Sequence, residues 1–178
     1  MLLFKILFIA LTILPVDGKW QRIKTDEKIS FLFPNNKQKL NRTTNGIPST
    51  IYQTKDLTCV FGVVCSNMSS KKIDLTNETA LTLYHELKTG SLEVPTAILK
   101  QEITVPYENM LIKEIEYSII KDKFEMTYFK RFIFRENFIY QISIGGRTRH
   151  LDIILKEKNV FFNSILFSED STNKNQKK

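Results

Sequence analysis

The most regular alternation of hydrophobic and polar residues lies between Met110 and Gly146, and it predicts three consecutive antiparallel strands. The turns at residues 121–123 and 135–137 are so short that each demands an antiparallel connection. Gly145 and Gly146 are expected to end the third strand. One face of the middle strand is apolar except at Lys130, and its members are Phe124, Met126, Tyr128, Phe132 and Phe134.

The opposite face of the middle strand is polar except at Phe129 and Ile133. These two residues either line a groove for a ligand or receive a helix. The helix is favoured, because the faces of a sheet in a sandwich are normally covered.

Glu114 and Glu116 share one face of the preceding strand, near where Arg131 or Lys123 of the next strand could lie. Two neighbouring carboxylates suit acid–base catalysis if burial separates their pKa values. Charges at i and i+2 are routine on an amphipathic strand, so we favour a cross-strand ion-pair cluster of Glu114, Glu116 and Arg131.

Shorter elements surround this meander. Strands are predicted at residues 20–25, 29–33, 49–54, 57–66, 97–105 and 165–167, and helices at residues 76–88 and 148–163. Residues 35–46 are polar and basic and are expected to form a loop without regular structure. Adjacent antiparallel strands that helices interrupt and close define an α+β sandwich, here in a single domain.

The N-terminal residues have the pattern of a secretory signal peptide. An apolar run containing Lys5 ends at Pro15 and leads to Gly18, after which we place the cleavage. The run is shorter than a membrane span, and no second apolar segment follows it. We therefore expect a secreted or periplasmic protein with no transmembrane segment after cleavage. Its α+β domain would occupy residues 19–168, and residues 169–178 would form a disordered polar tail.

The net charge is +7, but the basic residues are spread along the chain without a run of four or more. This pattern indicates an ordinary solvated basic surface, and no nucleic-acid partner is expected. The two histidines, His85 and His150, are far apart in the sequence, and neither has a nearby Ser or Cys that is placed to act as a nucleophile. We expect no metal, no cofactor and no catalytic site.

Cys59 and Cys65 are the only cysteines. On one straight strand they would lie roughly 20 Å apart, too far for a disulfide, whereas a fold-back at Gly62 would pair them. Both arrangements remain open at this stage. Three glycosylation sequons, at Asn41, Asn67 and Asn77, mark surface segments and matter only in a eukaryotic source.

The order of several short motifs resembles a known fold class. An early Trp20 leads into Ile29-Ser30-Phe31-Leu32-Phe33-Pro34, Glu114 or Glu116 lies on a later strand, Arg131-Phe132-Ile133-Phe134 leads to Tyr140, and Phe161-Phe162-Asn163-Ser164-Ile165-Leu166-Phe167 closes the chain. This order resembles the PsbP-like α/β/α sandwich class of small exported bacterial proteins. The resemblance implies an antiparallel sheet with flanking helices and a role in binding other proteins, and it implies no catalytic residues.

The combined expectation is a non-catalytic exported module that binds another protein or an envelope component. The alternative is a carrier of a small apolar ligand held between sheet and helix, which would require an open pocket near Phe129 and Ile133. An envelope hydrolase is the least favoured function, because no nucleophile with its base stands out.

Overall fold

Two antiparallel sheets and two helices make up the part of the chain that the computed structural model describes, which is residues 19–25, 28–73, 75, 77–107 and 110–168. The predicted signal peptide and polar tail lie outside these residues. The small sheet has the order β1-β2-β10, and the large sheet has the order β3-β4-β5-β9-β8-β7-β6. The elements are β1 (Trp20–Thr25), β2 (Ile29–Pro34), β3 (Gln38–Thr44), β4 (Ile47–Lys55), β5 (Cys59–Asn67), α1 (Asn77–Ser91), β6 (Ile98–Thr104), β7 (Leu111–Lys121), β8 (Phe124–Arg135), β9 (Phe138–Arg147), α2 (Leu151–Asn163) and β10 (Leu166–Phe167).

The predicted meander is confirmed as the centre of the large sheet. In the pairing of β7 with β8, Leu111 lies opposite Phe134 at one end and Lys121 lies opposite Phe124 at the other. In the pairing of β8 with β9, Met126 lies opposite Arg147 and Arg135 lies opposite Phe138. The closing helix is also confirmed, as a 3-10 turn (Thr148–His150) followed by α2. The α+β antiparallel class follows from this arrangement.

Each face of the large sheet has its own hydrophobic core. The larger core lies between the large sheet and a layer made of the small sheet and α2, and Phe33, Phe61 and Phe161 meet in it edge to face. The smaller core lies under α1, where Tyr84 packs edge to face on Phe132. The strand alternation produces both cores, because successive residues of β8 point to opposite faces.

The loop predicted for residues 35–46 is wrong. Residues 38–44 form β3, one of the two edge strands of the large sheet. They pair with β4, with Gln38 opposite Gln53 and Thr44 opposite Ile47. All seven side chains of β3 are exposed, so no apolar alternation announces the strand. Backbone pairing and a few exposed side-chain contacts with β4, such as that of Asn41 with Thr50, hold the strand in place. Its turn is Asn45-Gly46, whose φ angles of 52° and 74° place both residues in the left-handed region.

The predicted role of Gly145 and Gly146 is also wrong, because both lie inside β9, between β5 and β8. A Cβ on Gly145 would lie 2.2 Å from Tyr128 Cδ1, and a Cβ on Gly146 would lie 2.3 Å from the Thr58 carbonyl oxygen. These glycines permit close packing instead of ending the strand. Helix α1 likewise continues past Gly90 to Ser91.

Cys59 and Cys65 are buried on β5 and form no disulfide with each other. The strand continues through Gly62, which pairs with Gln53 and Ser143, so the fold-back that would join the cysteines does not occur. Burial raises the pKa of the Cys59 thiol to about 11, and Asp56 and Glu157 add to this effect.

Candidate functional site

The predicted charged residues on β7 and β8 meet in a buried cluster. Glu114 lies opposite Arg131, and its Oε1 accepts hydrogen bonds from Arg131 Nη2 and, at 2.7 Å, from Arg131 Nε. Arg131 Nη1 donates to the carbonyl oxygen of Phe162 on α2 at 2.8 Å. Lys158 Nζ lies 3.7 Å from Glu114 Oε2, so the cluster joins the large sheet to α2.

The cations of this cluster also contact aromatic rings of the larger core. The Arg131 guanidinium lies 4.7 Å from the centre of the Phe162 ring, and Lys158 Nζ lies 4.8 Å from the centre of the Phe129 ring. Glu114 is only 7% exposed. A carboxylate held by two cations in this way has the features of a structural anchor.

Glu116 lies one step along the same face of β7, opposite Phe129 on β8 and Gln101 on β6. Its side chain is half-buried. Glu114 and Arg131 therefore meet as the sequence suggested, while the partner that completes the described cluster is Lys158 and not Glu116.

Phe129 and Ile133, the two residues proposed for a groove, are 4% and 0% exposed. Both belong to the larger core together with Ile154, Phe161 and Phe162 of α2. The structure thus places them against the helix, in the arrangement that the sequence favoured.

Lys130, the exception on the apolar face of β8, lies where α1 ends. Its Nζ donates to Ser91 Oγ at 2.9 Å and lies 5.4 Å from the centre of the Phe132 ring. Burial lowers the pKa of Lys130 to about 8. Ser91 Oγ in turn donates to the Leu87 carbonyl oxygen at 2.7 Å, so its hydroxyl hydrogen is used within the helix.

An open cleft of about 440 Å³ lies between the two sheets, at the edge of the large sheet that β3 forms. Lys24 and Thr25 of β1 form one wall, and residues of β3 and β4 form the other. Its floor is mostly apolar. The described lining residues are Lys24, Thr25, Lys39, Asn41, Arg42, Thr43, Pro48, Ser49, Thr50, Tyr52, Cys65, Asn67 and Phe138.

Tyr52 connects the cleft to the core. It is 5% exposed, and its ring packs edge to face on Phe31 at 6.1 Å. On the cleft side, Lys39 Nζ lies 5.7 Å from the centre of the same ring. The floor is therefore rigid, because a buried aromatic residue of the core forms it.

The charge of the cleft is positive. Lys24, Lys39 and Arg42 are among its lining residues, and none of the described lining residues is acidic. Strand alternation places Lys39 on the cleft face of β3 and the Arg42 side chain on the opposite face. Cations on the walls of a concave surface raise the local concentration of anions. The basic residues, which look scattered in the sequence, are thus brought together in space by the pairing of β3 with β4 and by the small sheet.

The sequence prediction missed this site because it assigned Lys39, Asn41 and Thr43 to a loop. The signal that could have found them is Asn45-Gly46, a dipeptide that strongly favours a two-residue hairpin turn. A hairpin around this turn pairs residues 38–44 with residues 47–53, as observed.

Comparison with known proteins identifies the fold. No protein-family model and no curated protein matches the chain. Among solved structures, cyanobacterial PsbP (CyanoP) from Synechocystis sp. PCC 6803 matches 85% of this chain and 94% of its own, with a TM-score of 0.56 and 13% identity. The chain has a PsbP-like fold.

Two further structures align with this PsbP-like fold at TM-scores of 0.44. They are PA94, a protein of unknown function and putative regulator from Pseudomonas aeruginosa, with 12% identity over 79% of this chain and 93% of its own, and LpqN, involved in cell envelope biogenesis of Mycobacterium tuberculosis, with 10% identity over 87% of this chain and 82% of its own. The fold assignment rests on CyanoP, and at these identities the likeness concerns the fold alone.

The described residues of this PsbP-like fold contain no group of three or more His, Cys, Asp and Glu side chains placed to hold a metal ion. Neither α1 nor α2 is long and apolar enough to cross a membrane.

Proposed function

We propose that this protein is an exported, non-catalytic binding module whose cleft recognises an acidic segment of a partner protein. The observation that carries the proposal is the cleft itself, where Lys39 lies over the Tyr52 ring, Lys24 lines the β1 wall and none of the described lining residues is acidic. The N-terminal signal pattern supports a place outside the cytoplasm.

The polarity of the cleft favours a peptide over a small apolar ligand. Backbone and side-chain polar groups of β3 and β4 surround the apolar floor, and the β3 wall is exposed along its whole length. Pockets for small molecules bury most of the ligand surface, whereas peptide sites are open grooves with polar rims. The carrier function requires an open pocket near Phe129 and Ile133, but both residues are packed in the core against α2.

The test uses residues 19–178 and a fluorescein-labelled peptide of about nine residues in which glutamate alternates with valine, long enough to span an average strand. Fluorescence anisotropy gives the affinity at low and high salt. We expect binding that weakens as salt screens the cations. We also expect at least a tenfold loss in the double variant Lys24→Glu/Lys39→Glu, which reverses a charge on each wall of the cleft.

A matched control changes net charge by the same amount elsewhere. Lys121 on β7 and Lys156 on α2 are both exposed, and neither lines the cleft. The double variant Lys121→Glu/Lys156→Glu should therefore bind within about twofold of the unchanged protein. An equal loss in both double variants, or tighter binding to anionic phospholipid vesicles than to the peptide, would contradict the proposal.

A further inference from the structure

The two edges of the large sheet differ in regularity. On the β6 edge, the pairing with β7 shifts register between Leu99 and Gln101, and such a bulge hinders the addition of another strand. On the β3 edge, the pairing with β4 runs without a shift from Gln38 to Thr44. Only one of these two edges therefore offers an unbroken template.

The turn of the β3–β4 hairpin determines which backbone groups β3 presents to solvent. Asn45 and Gly46 form a two-residue turn, so its flanking residues, Thr44 and Ile47, are a hydrogen-bonded pair. Hydrogen-bonded and non-hydrogen-bonded pairs alternate from there. The N–H and C=O groups of Lys39, Asn41 and Thr43 consequently point away from β4, to the open edge.

The same three residues line the cleft with their side chains. A strand that pairs with them would place alternate side chains above the cleft, within reach of Lys39 and the other cations. Its remaining side chains would lie on the opposite face of the sheet. There Leu40, 48% exposed, lies opposite Ile51, which lies opposite Val64.

We infer that the partner segment binds as an eighth strand, antiparallel to β3, with acidic side chains over the cleft and apolar side chains beside Leu40. This inference rests on the proposed function and adds the binding mode and the sequence pattern of the partner. Main-chain hydrogen bonds supply affinity in this mode, and alternate side chains supply specificity. The cations of β3 discourage pairing with neutral or basic strands and favour an acidic one.

Backbone methylation of the probe peptide tests the mode directly. In antiparallel pairing, the peptide residues that hydrogen-bond to Lys39, Asn41 and Thr43 lie directly opposite them and share their face, so they are the glutamates. N-methylation of the glutamate amides should reduce binding at least tenfold, and N-methylation of the valine amides should change it less than about threefold. Equal binding of the two methylated peptides would overturn the inference.

Hydrogen exchange locates the contact on the protein. With the unmethylated peptide bound, the amides of Lys39, Asn41 and Thr43 should exchange at least tenfold more slowly than in the free protein. Charge-dependent binding without this protection would overturn the strand mode and leave the proposed function standing. Protection that depends on protein concentration without peptide would identify a second copy as the occupant and also overturn the inference.

Two variants at position 41 distinguish the contribution of the backbone N–H to binding from that of the side chain. Asn41→Pro removes an outward N–H and leaves the pairing with β4, so binding should fall at least tenfold while thermal stability stays close to that of the unchanged protein. Asn41→Ala loses only the side-chain contact with Thr50 Oγ1 and should bind within about threefold. Equal binding by the two variants would show that the edge is not used.

Discussion

Arg131 is the residue through which the large sheet and α2 are joined by charge. Its guanidinium contacts Glu114 on β7, the Phe162 carbonyl oxygen and the Phe162 ring, and it is largely buried. Removing one partner of a buried pair leaves an uncompensated charge, which costs far more than losing an exposed pair.

Arg131→Met should therefore lower the free energy of unfolding by about 3–5 kcal/mol, because Glu114 would keep only Lys158 at 3.7 Å as a counter-ion. Urea denaturation monitored by circular dichroism measures the change. Glu136→Gln is the control, because the exposed Glu136 pairs with Lys28 at 2.9 Å and with Arg135 only at 4.0 Å, and its loss should cost less than about 1 kcal/mol. Similar losses in the two variants would refute the structural role of Arg131.

The sequence could predict that Glu114 lies near a cation of the next strand, Arg131 or Lys123, because strand alternation and a short turn restrict which residues can face each other. The structure shows that the cation is Arg131. The sequence could not predict that Lys158 and Phe162 of α2 contact this pair. Their positions depend on how α2 crosses the sheet, and periodicity within the helix contains no information about that crossing.

Strand β9 shows how a local sequence rule can be overridden by packing. Gly145 lies under the ring of Tyr128, its cross-strand neighbour, and Gly146 lies against the Thr58 carbonyl oxygen. A glycine pair usually signals a break in a strand, but here the absent side chains make room for an aromatic ring and for another segment of backbone.

Gly146→Ala should destabilise the protein by about 1–3 kcal/mol, because its Cβ would overlap a backbone oxygen that a side-chain rotation cannot move. Gly90→Ala is the matched control, since a Cβ there has no neighbour within 4 Å and alanine favours the helix by about 0.5–1 kcal/mol. Denaturant unfolding of both variants checks the opposite signs. A neutral or stabilising Gly146→Ala would contradict the packing described for β9.

Strand β3 was missed for a different physical reason. The central strands bury one or both faces, so they show alternating or near-continuous apolar residues, whereas every side chain of β3 is exposed. Its conformation is determined by the Asn45-Gly46 turn and by the backbone of β4. Edge strands of this kind can be recognised in a sequence from their turns and not from their hydrophobicity.

At the scale of the whole molecule, the fold places a rigid apolar core beside an open cationic edge. The core could be predicted, because it arises from alternating apolar strands and two amphipathic helices. The cleft could not, because Lys24 and Lys39 belong to different sheets and come together only when the sandwich closes. Both the proposed acidic partner and its binding mode depend on β3 being a regular edge strand.

The most direct measurement is amide hydrogen exchange of residues 38–44 by NMR in the free protein. The account predicts alternation, with slow exchange at Leu40 and Arg42, whose amides face β4, and fast exchange at Lys39, Asn41 and Thr43, whose amides face solvent. Uniformly fast exchange across the segment would show the loop that the sequence first suggested. In that case the cleft would lack the wall that β3 forms, and the partner segment would have no edge strand to pair with.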